Sequence, residues 1–260
     1  MQPVFKILTL NHIAAVGLKH FPANRYIVSS EVVQPDAILV RSHNMLQMEI
    51  PPGVKAIARA GAGTNNVPVV KMNARGVPVF NAAGANANAV KELVIAGMLV
   101  ASRNLIPAWN FAASLRGDDD SLHKQVEASK KNYAGTELRG RTLGIIGLGA
   151  IGRLVADAAI GLGMQVIGHD PEISVDAAWG LPSQVKKARS KEDLLKQSDF
   201  VTLHIPLVNA TRGLINAARV QVMKPGCVLL NFAREGIVDE DAVLAGIATQ
   251  HIQYYVCDFP

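Results

Sequence analysis

Short apolar runs alternate with helix-like segments along the chain, and they fall into two blocks. In the first block the apolar runs predict five strands and one helix near residues 13–20. The five predicted strands cover residues 5–10, 26–29, 37–40, 56–59 and 78–81. Short strands that alternate with helices are typical of α/β domains. We therefore predict a small α/β domain in this part of the chain.

The second block repeats the alternation on a larger scale. Strands are predicted at residues 143–146, 164–168, 200–204, 227–232 and 254–258, with a weak extra strand at 184–188. Helices are predicted between them at residues 150–163, 191–197, 216–222 and 239–249. Crossovers of this length join parallel strands, so the pattern predicts a doubly wound parallel sheet of about six strands.

A long helical pattern lies between the two blocks. It starts after Asn86 or Asn88, either of which suits a helix N-cap, and it runs to about Arg103. The pattern then loosens over residues 104–139, where we expect an exposed arm with a solvated loop at residues 117–120. These features predict a first domain at residues 1–103, including the interdomain helix, and a second domain at residues 104–260.

A glycine triplet opens the second block directly after its first strand. Gly147 permits a tight turn, Gly149 lets the backbone approach a pyrophosphate, and Gly152 lets the following helix pack on the sheet. Asp170 follows the next strand, where a carboxylate suits the ribose hydroxyls of NAD and repels the 2′-phosphate of NADP. We therefore expect NAD to bind at Gly147, Gly149, Ala150, Ile151, Gly152 and Asp170.

Ligands of doubly wound sheets bind beyond the carboxyl ends of the strands. Two segments fall at such ends, at residues 204–206 and 232–234, and each contains one basic or titratable side chain. We therefore expect the dinucleotide to lie across His204, Pro206 and Ala233, with Arg234 near its nicotinamide end. The guanidinium of Arg234 is well suited to pairing with a substrate carboxylate.

Composition narrows the class of protein. The chain is 49% hydrophobic and 18% charged, with a formal net charge of +5 from scattered basic residues. Its longest uncharged apolar run has nine residues, against the roughly 20 of a membrane span, and we expect no membrane or nucleic-acid partner. We find no secretory signal, which favours a cytoplasmic location. Cys227 and Cys257 show no metal-ligand spacing, so we expect no metal site.

Five segments in order resemble the D-2-hydroxyacid dehydrogenase family. They are Arg59-Ala-Gly-Ala-Gly-Thr-Asn-Asn66, Asn81-Ala-Ala-Gly-Ala-Asn-Ala-Asn-Ala-Val90, Glu137-Leu-Arg-Gly-Arg-Thr-Leu-Gly-Ile-Ile-Gly-Leu-Gly149, His204-Ile-Pro-Leu207 and Asn231-Phe-Ala-Arg-Glu-Gly-Ile-Val-Asp239. The resemblance implies a Rossmann NAD-binding domain with a smaller flavodoxin-like substrate domain. It is strongest to the members that oxidise 3-phosphoglycerate, the first step of L-serine biosynthesis.

The resemblance also implies roles for individual residues. It implies that Arg234 binds the substrate carboxylate and the reacting oxygen, and that Asp258 contacts the nicotinamide carboxamide. It also implies that the loop Gly61, Ala62 and Gly63 binds the substrate carboxylate, which suits a turn of consecutive N–H groups. Arg41 and Arg59 resemble the arginines that neutralise a substrate phosphate. The resemblance also implies a homodimer that forms through the nucleotide domains.

The sequence departs from the family pattern in three respects. Glu235 stands where a glycine is common after the arginine, and Ala83 stands where a proline is common. The acid–base histidine and its supporting glutamate, which the family places beyond the last strand, do not occur in the 260 residues. The chain is therefore expected to be a C-terminally truncated copy. Another small D-2-hydroxy acid as substrate, or a non-catalytic NAD-binding module, remains an alternative.

Overall fold

A computed structural model describes residues 4–259 of the chain. The chain divides into two compact units between Asn86 and Ala87. Over the described residues, no helix has both the length and the apolar character needed to cross a membrane.

The first unit is a five-stranded parallel sheet with two short helices. Its elements are β1 (Phe5–Leu10), α1 (Ala15–Leu18), β2 (Tyr26–Ser29), β3 (Ala37–Val40), β4 (Ala56–Arg59), α2 (Val69–Ala74) and β5 (Val79–Asn81). The strand order is β2-β1-β3-β4-β5, which is the flavodoxin-like order. The predicted strands and fold are confirmed. Sequence reasoning missed α2, whose six residues are too few to show a clear helical period.

The second unit contains the larger sheet. Its helices are α3 (Ala87–Arg103), α4 (Leu105–Ser114), α5 (Asp119–Ser129), α6 (Ala150–Gly161), α7 (Val175–Trp179), α8 (Lys191–Gln197), α9 (Ala217–Val222) and α10 (Glu240–Ala248). Its strands are β6 (Thr142–Ile146), β7 (Gln165–His169), β8 (Lys186–Lys187), β9 (Phe200–Leu203), β10 (Cys227–Asn231) and β11 (Ile252–Cys257). Short 3-10 turns lie at Lys130–Tyr133 and Glu235–Ile237.

The larger sheet has the strand order β11-β10-β9-β6-β7-β8, and every pair is parallel. This order confirms the predicted doubly wound Rossmann sheet of six strands. Apolar cores cover both faces, one around Leu195, Leu203 and Leu229 and the other around Leu143 and Ile145. Because every pair of strands is parallel, all six strands present their carboxyl ends at one edge of the sheet.

Helix α3 packs as part of the second unit. Val94 and Met98 are fully buried in the core that also contains Leu230 and Phe232. A Cβ atom at Gly97 would lie 3.1 to 3.4 Å from the side chains of Val256, Phe232 and Leu230, so the glycine permits close packing on the sheet. The observed division at residue 86 therefore differs from the predicted boundary at residue 103, because α3 buries its apolar face on this sheet.

The predicted loop at residues 117–120 is wrong in its second half. Asp118 is the N-cap of α5, and its carboxylate accepts a hydrogen bond of 2.9 Å from the amide of Ser121. Asp119 and Asp120 form the first helical turn, where negative charge suits the helix dipole. No residue of α4 or α5 is buried, which agrees with an exposed arm.

Candidate functional site

The glycine-rich turn joins β6 to α6 under tight steric limits. Gly147 has a φ of +95°, and a Cβ there would collide with the carbonyl of His204. A Cβ at Gly152 would collide with the carbonyl of Gly147, so α6 lies directly against the turn. At Gly149, in contrast, a Cβ would meet no atom within 4 Å. The turn thus leaves open space above Gly149, where a pyrophosphate can approach the backbone.

The N-terminus of α6 faces the same space. Gly149 is its N-cap and supplies no side-chain hydrogen bond, so the first amides of this 12-residue helix receive no cap. Such amides and the helix dipole favour an anion. Ala150 and Ile151 form the first turn, which places them beside the position expected for the phosphates.

Asp170 lies directly after β7 and holds the glycine-rich turn. One carboxylate oxygen accepts a hydrogen bond of 2.8 Å from the amide of Leu148, and the other accepts one of 3.0 Å from the amide of Glu172. None of the ion pairs among the described residues involves this carboxylate. Each oxygen retains lone-pair capacity, so Asp170 can also accept from ribose hydroxyls. Acceptance from the ribose stays a prediction, and sequence reasoning missed the bond to Leu148.

A cavity of about 590 Å³ adjoins Asp170. Ile173, Leu181 and Val185 give it an apolar part. It is also lined by three basic residues, Lys186, Lys187 and Arg189. All three of these residues are exposed. Their position beside Asp170 follows from the pairing of β8 with β7, which no local pattern reveals.

His204 lies at the carboxyl end of β9 as a neutral imidazole, and the residue is half-buried. Its amide donates to the carbonyl of Ile146 over 2.8 Å, and its Nε2 is 3.0 Å from the hydroxyl of the buried Thr202. Its Nδ1 is shielded from solvent without a hydrogen-bond partner. Burial lowers the pKa of His204 to about 4. The residue therefore carries no charge near neutral pH. Pro206 follows it, and its carbonyl accepts a 2.6 Å hydrogen bond from Thr211.

Arg234 lies just beyond the end of β10. This strand is the neighbour of β9, so Arg234 lies at the same edge of the sheet as His204. Its side chain is exposed, and its Nη1 donates to the carbonyl of Ala233 over 2.6 Å. Asp258 follows β11 and is also exposed. The predicted residues Gly147, Asp170, His204, Ala233, Arg234 and Asp258 thus come together at the carboxyl edge of one sheet.

The first unit carries the other predicted residues at two adjacent strand ends. Arg41 follows β3 and Arg59 ends β4, where Val40 is registered against Arg59. The Arg59 Nε donates to the carbonyl of Arg41 over 3.0 Å. Asn66 also binds this loop, since its Nδ2 donates to the carbonyls of Arg41 at 3.2 Å and His43 at 2.7 Å. Sequence reasoning overlooked Asn66, although it lies within a quoted motif.

The Gly61–Ala62–Gly63 loop differs in detail from the expected anion-binding turn. The amide of Gly61 donates to the carbonyl of Arg59 over 2.9 Å, so it is already used. The amides of Ala62 and Gly63 have no hydrogen bond from the described residues. Asn81 holds the loop by donating to the carbonyl of Ala62 over 2.6 Å. Two amides of this turn, rather than three, are therefore open to an anion.

Comparisons with known proteins place the chain in a family. Residues 96–260 match the NAD-binding domain of the D-isomer specific 2-hydroxyacid dehydrogenases. The match covers more than half of the chain, so the chain belongs to this family. The glycine turn, the open space above Gly149 and the Asp170 carboxylate fit the dinucleotide, and NAD is the cofactor of this domain.

Relatives with different stated activities are similar to the chain. It is 38% identical over 225 residues to D-3-phosphoglycerate dehydrogenase of Mycobacterium bovis, and the match covers 85% of this chain and 40% of the relative. It is 36% identical over 215 residues to hydroxypyruvate reductase of Thermotoga maritima, covering 82% of this chain and 65% of the relative. The chain therefore spans about two fifths of the length of the first of these relatives.

The fold also resembles a solved structure over almost its whole length. Apo D-mandelate dehydrogenase of Rhodotorula graminis superimposes with a TM-score of 0.81 at 24% identity, covering 98% of this chain and 81% of that protein. At this identity the likeness concerns the fold.

Replacing Asp170 tests the cofactor site. In Asp170→Ala we expect NAD affinity to fall roughly 10- to 100-fold, since a charge-assisted acceptor is lost and the turn loses its bond to Leu148. Asp170→Asn keeps an oxygen for Leu148, so it should lose less affinity and narrow the gap to NADP. Calorimetric titration measures both, with exposed Asp157→Ala as the control. Equal affinity of the unaltered chain for NAD and NADP would contradict the assignment.

His204 predicts a pH dependence of stability. The pKa of His204 is about 4 in the folded chain against 6.5 for an ordinary histidine, so the unfolded chain binds the proton more tightly. The free energy of unfolding should therefore fall by about 2 kcal/mol from this group between pH 7 and pH 5. Urea unfolding at both values should show this loss reduced in His204→Asn and unchanged in exposed His123→Asn. An undiminished loss in His204→Asn would refute the explanation.

Proposed function

We propose that the protein is an NAD-dependent oxidoreductase that oxidises a D-2-hydroxy acid, with 3-phospho-D-glycerate as its substrate. The observation that carries the proposal is the exposed guanidinium of Arg234 at the sheet edge that also bears Asp170 and the glycine turn. Family membership supports the reaction class. The reaction would begin L-serine biosynthesis in the cytoplasm.

In this proposal the described residues bind and orient the reactants. The guanidinium of Arg234 stays charged at any working pH and offers paired donors to a carboxylate. When bound, NAD supplies the hydride acceptor for the oxidation. The hydroxyl proton needs a base, and His204 is unsuited to that role because its pKa is about 4 and its Nε2 faces Thr202. The proposal therefore assigns proton transfer to none of the described residues.

The choice of a phosphorylated substrate rests on Arg41 and Arg59. Their strand ends are adjacent, and Arg59 is held against the Arg41 backbone. A guanidinium in a fixed position suits a phosphate dianion, and two of them favour it further. The similarity to a phosphoglycerate dehydrogenase supports this choice, whereas the similarity to a hydroxypyruvate reductase favours an unphosphorylated acid as the second candidate.

Substrate preference tests the proposal. In a complete enzyme that includes a proton-accepting residue, we expect NADH formation with 3-phospho-D-glycerate, and in its Arg41→Ala variant we expect the KM for this substrate to rise at least tenfold more than that for D-glycerate. The 260 residues alone should show very low turnover, because no described residue serves as the base. Initial rates measured by NADH absorbance decide this, with exposed Lys19→Ala as a charge-matched control. Equal effects on both substrates would favour the unphosphorylated candidate. NAD binding without turnover on any D-2-hydroxy acid would favour a binding module.

We also propose a homodimer through the second unit. Helix α4 exposes Leu105, Ile106 and Trp109, with 68% of Trp109 accessible to solvent. Neighbouring exposed apolar side chains of this kind mark interaction surfaces. Sedimentation velocity should show a dimer that dissociates in Trp109→Lys and persists in Leu244→Lys, a matched exposed position on α10. A monomeric unaltered chain would refute the proposal.

A further inference from the structure

Asn231 is a fully buried polar residue at the end of β10. Its Oδ1 accepts hydrogen bonds from the amides of Ala233 at 3.2 Å and Arg234 at 3.3 Å. Its Nδ2 donates to the carbonyl of Arg234 at 2.9 Å and to the hydroxyl of Tyr255 at 3.3 Å. One side chain therefore binds both the N–H and the C=O of Arg234.

The burial of this amide has a physical requirement. A buried carboxamide without partners costs a few kcal/mol, so it is tolerated only where its hydrogen bonds are made. Leu230 and Phe232, its neighbours in sequence, are apolar and buried, and most partners of Asn231 come from the turn that carries Arg234. The bonds hold the backbone of Arg234 extended, at φ −154° and ψ 140°. The direction in which the Cα–Cβ bond of Arg234 leaves the backbone is thereby fixed.

Tyr255 connects the same side chain to β11. Tyr255 is half-buried, and burial raises the pKa of its hydroxyl, which therefore stays protonated and neutral as a partner for the Asn231 amide. Asn231 is registered against Cys257, the residue before Asp258. Asn231 thus ties the Arg234 turn to the strand that leads into Asp258.

We propose that Asn231, supported by Tyr255, is the positioning residue for Arg234. This inference rests on the proposed function, in which Arg234 binds the substrate carboxylate. Asn231 would act solely through the backbone of Arg234. Its removal should therefore impair carboxylate binding and leave the glycine turn and NAD affinity intact.

Amide hydrogen exchange tests the contact itself. In Asn231→Ala we expect the amides of Ala233 and Arg234 to exchange at least tenfold faster, while the amide of Leu229 in the middle of β10 is unchanged. Tyr255→Phe removes one bond and keeps the ring, so it should show a smaller acceleration at the same two amides. Unchanged exchange at Ala233 and Arg234 in Asn231→Ala would overturn the inference. If Asn231→Ala does not fold, Tyr255→Phe alone decides by the same readout.

A double-mutant cycle tests the consequence. The probe is oxamate, a small carboxylate analogue of a 2-oxo acid, titrated into the chain saturated with NADH. Asn231→Ala should weaken oxamate binding at least tenfold and change NADH affinity by less than twofold. In an Arg234→Gln background, Asn231→Ala should cause no further loss, because it acts through Arg234. Additive losses, or an equal loss of NADH affinity, would mean a merely structural role and would overturn the inference.

Failure of the proposed function gives a different result. If the unaltered chain does not bind oxamate, or if Arg234→Gln leaves oxamate affinity unchanged, then Arg234 is not a carboxylate-binding residue. That result overturns the proposed function and the role of Asn231 in binding. Faster exchange at Ala233 and Arg234 would then show a turn that is held for another purpose.

Discussion

The close approach of α6 to the glycine turn constrains the rest of the nucleotide unit. The carbonyl of Gly147 lies where any side chain at residue 152 would be, and the carbonyl of His204 lies where one at residue 147 would be. Two strands and one helix therefore meet within van der Waals contact at a point that admits only backbone. This contact directs the helix N-terminus to the sheet edge and brings Leu148 within reach of Asp170. The helix N-terminus and the contact between Leu148 and Asp170 both depend on this close packing.

Much of the fold follows from local pattern. The strands of both sheets are short apolar runs separated by helices or turns, and the parallel order follows from crossover length. The glycine triplet and Asp170 can be recognised from the sequence because the same turn requires each of these residue types. For Arg234, position after a strand was sufficient to place it at the binding edge, since parallel strands end together.

The remaining features depend on contacts between distant residues. Helix α3 joins the second unit because Gly97 and Met98 pack on strands more than 100 residues later, and no local signal marks that partner. The partners of Asn66, and all partners of Asn231 except the Tyr255 hydroxyl, are likewise backbone groups of loops whose course is set by the fold. The capping of α5 by Asp118 was readable from sequence, but a run of three aspartates resembles a solvated loop equally well.

The two hydrogen bonds that Asp170 accepts from the backbone limit how this family member could diverge. The carboxylate that would discriminate against a phosphorylated ribose also restrains the amide of Leu148 in the phosphate-binding turn. A lineage that exchanged Asp170 for a small apolar residue to admit NADP would loosen the turn that every dinucleotide needs. Evolution toward the other cofactor is therefore expected to pass through side chains that retain an oxygen at this position, such as asparagine, serine or threonine. Cofactor preference and turn rigidity are thus inherited together.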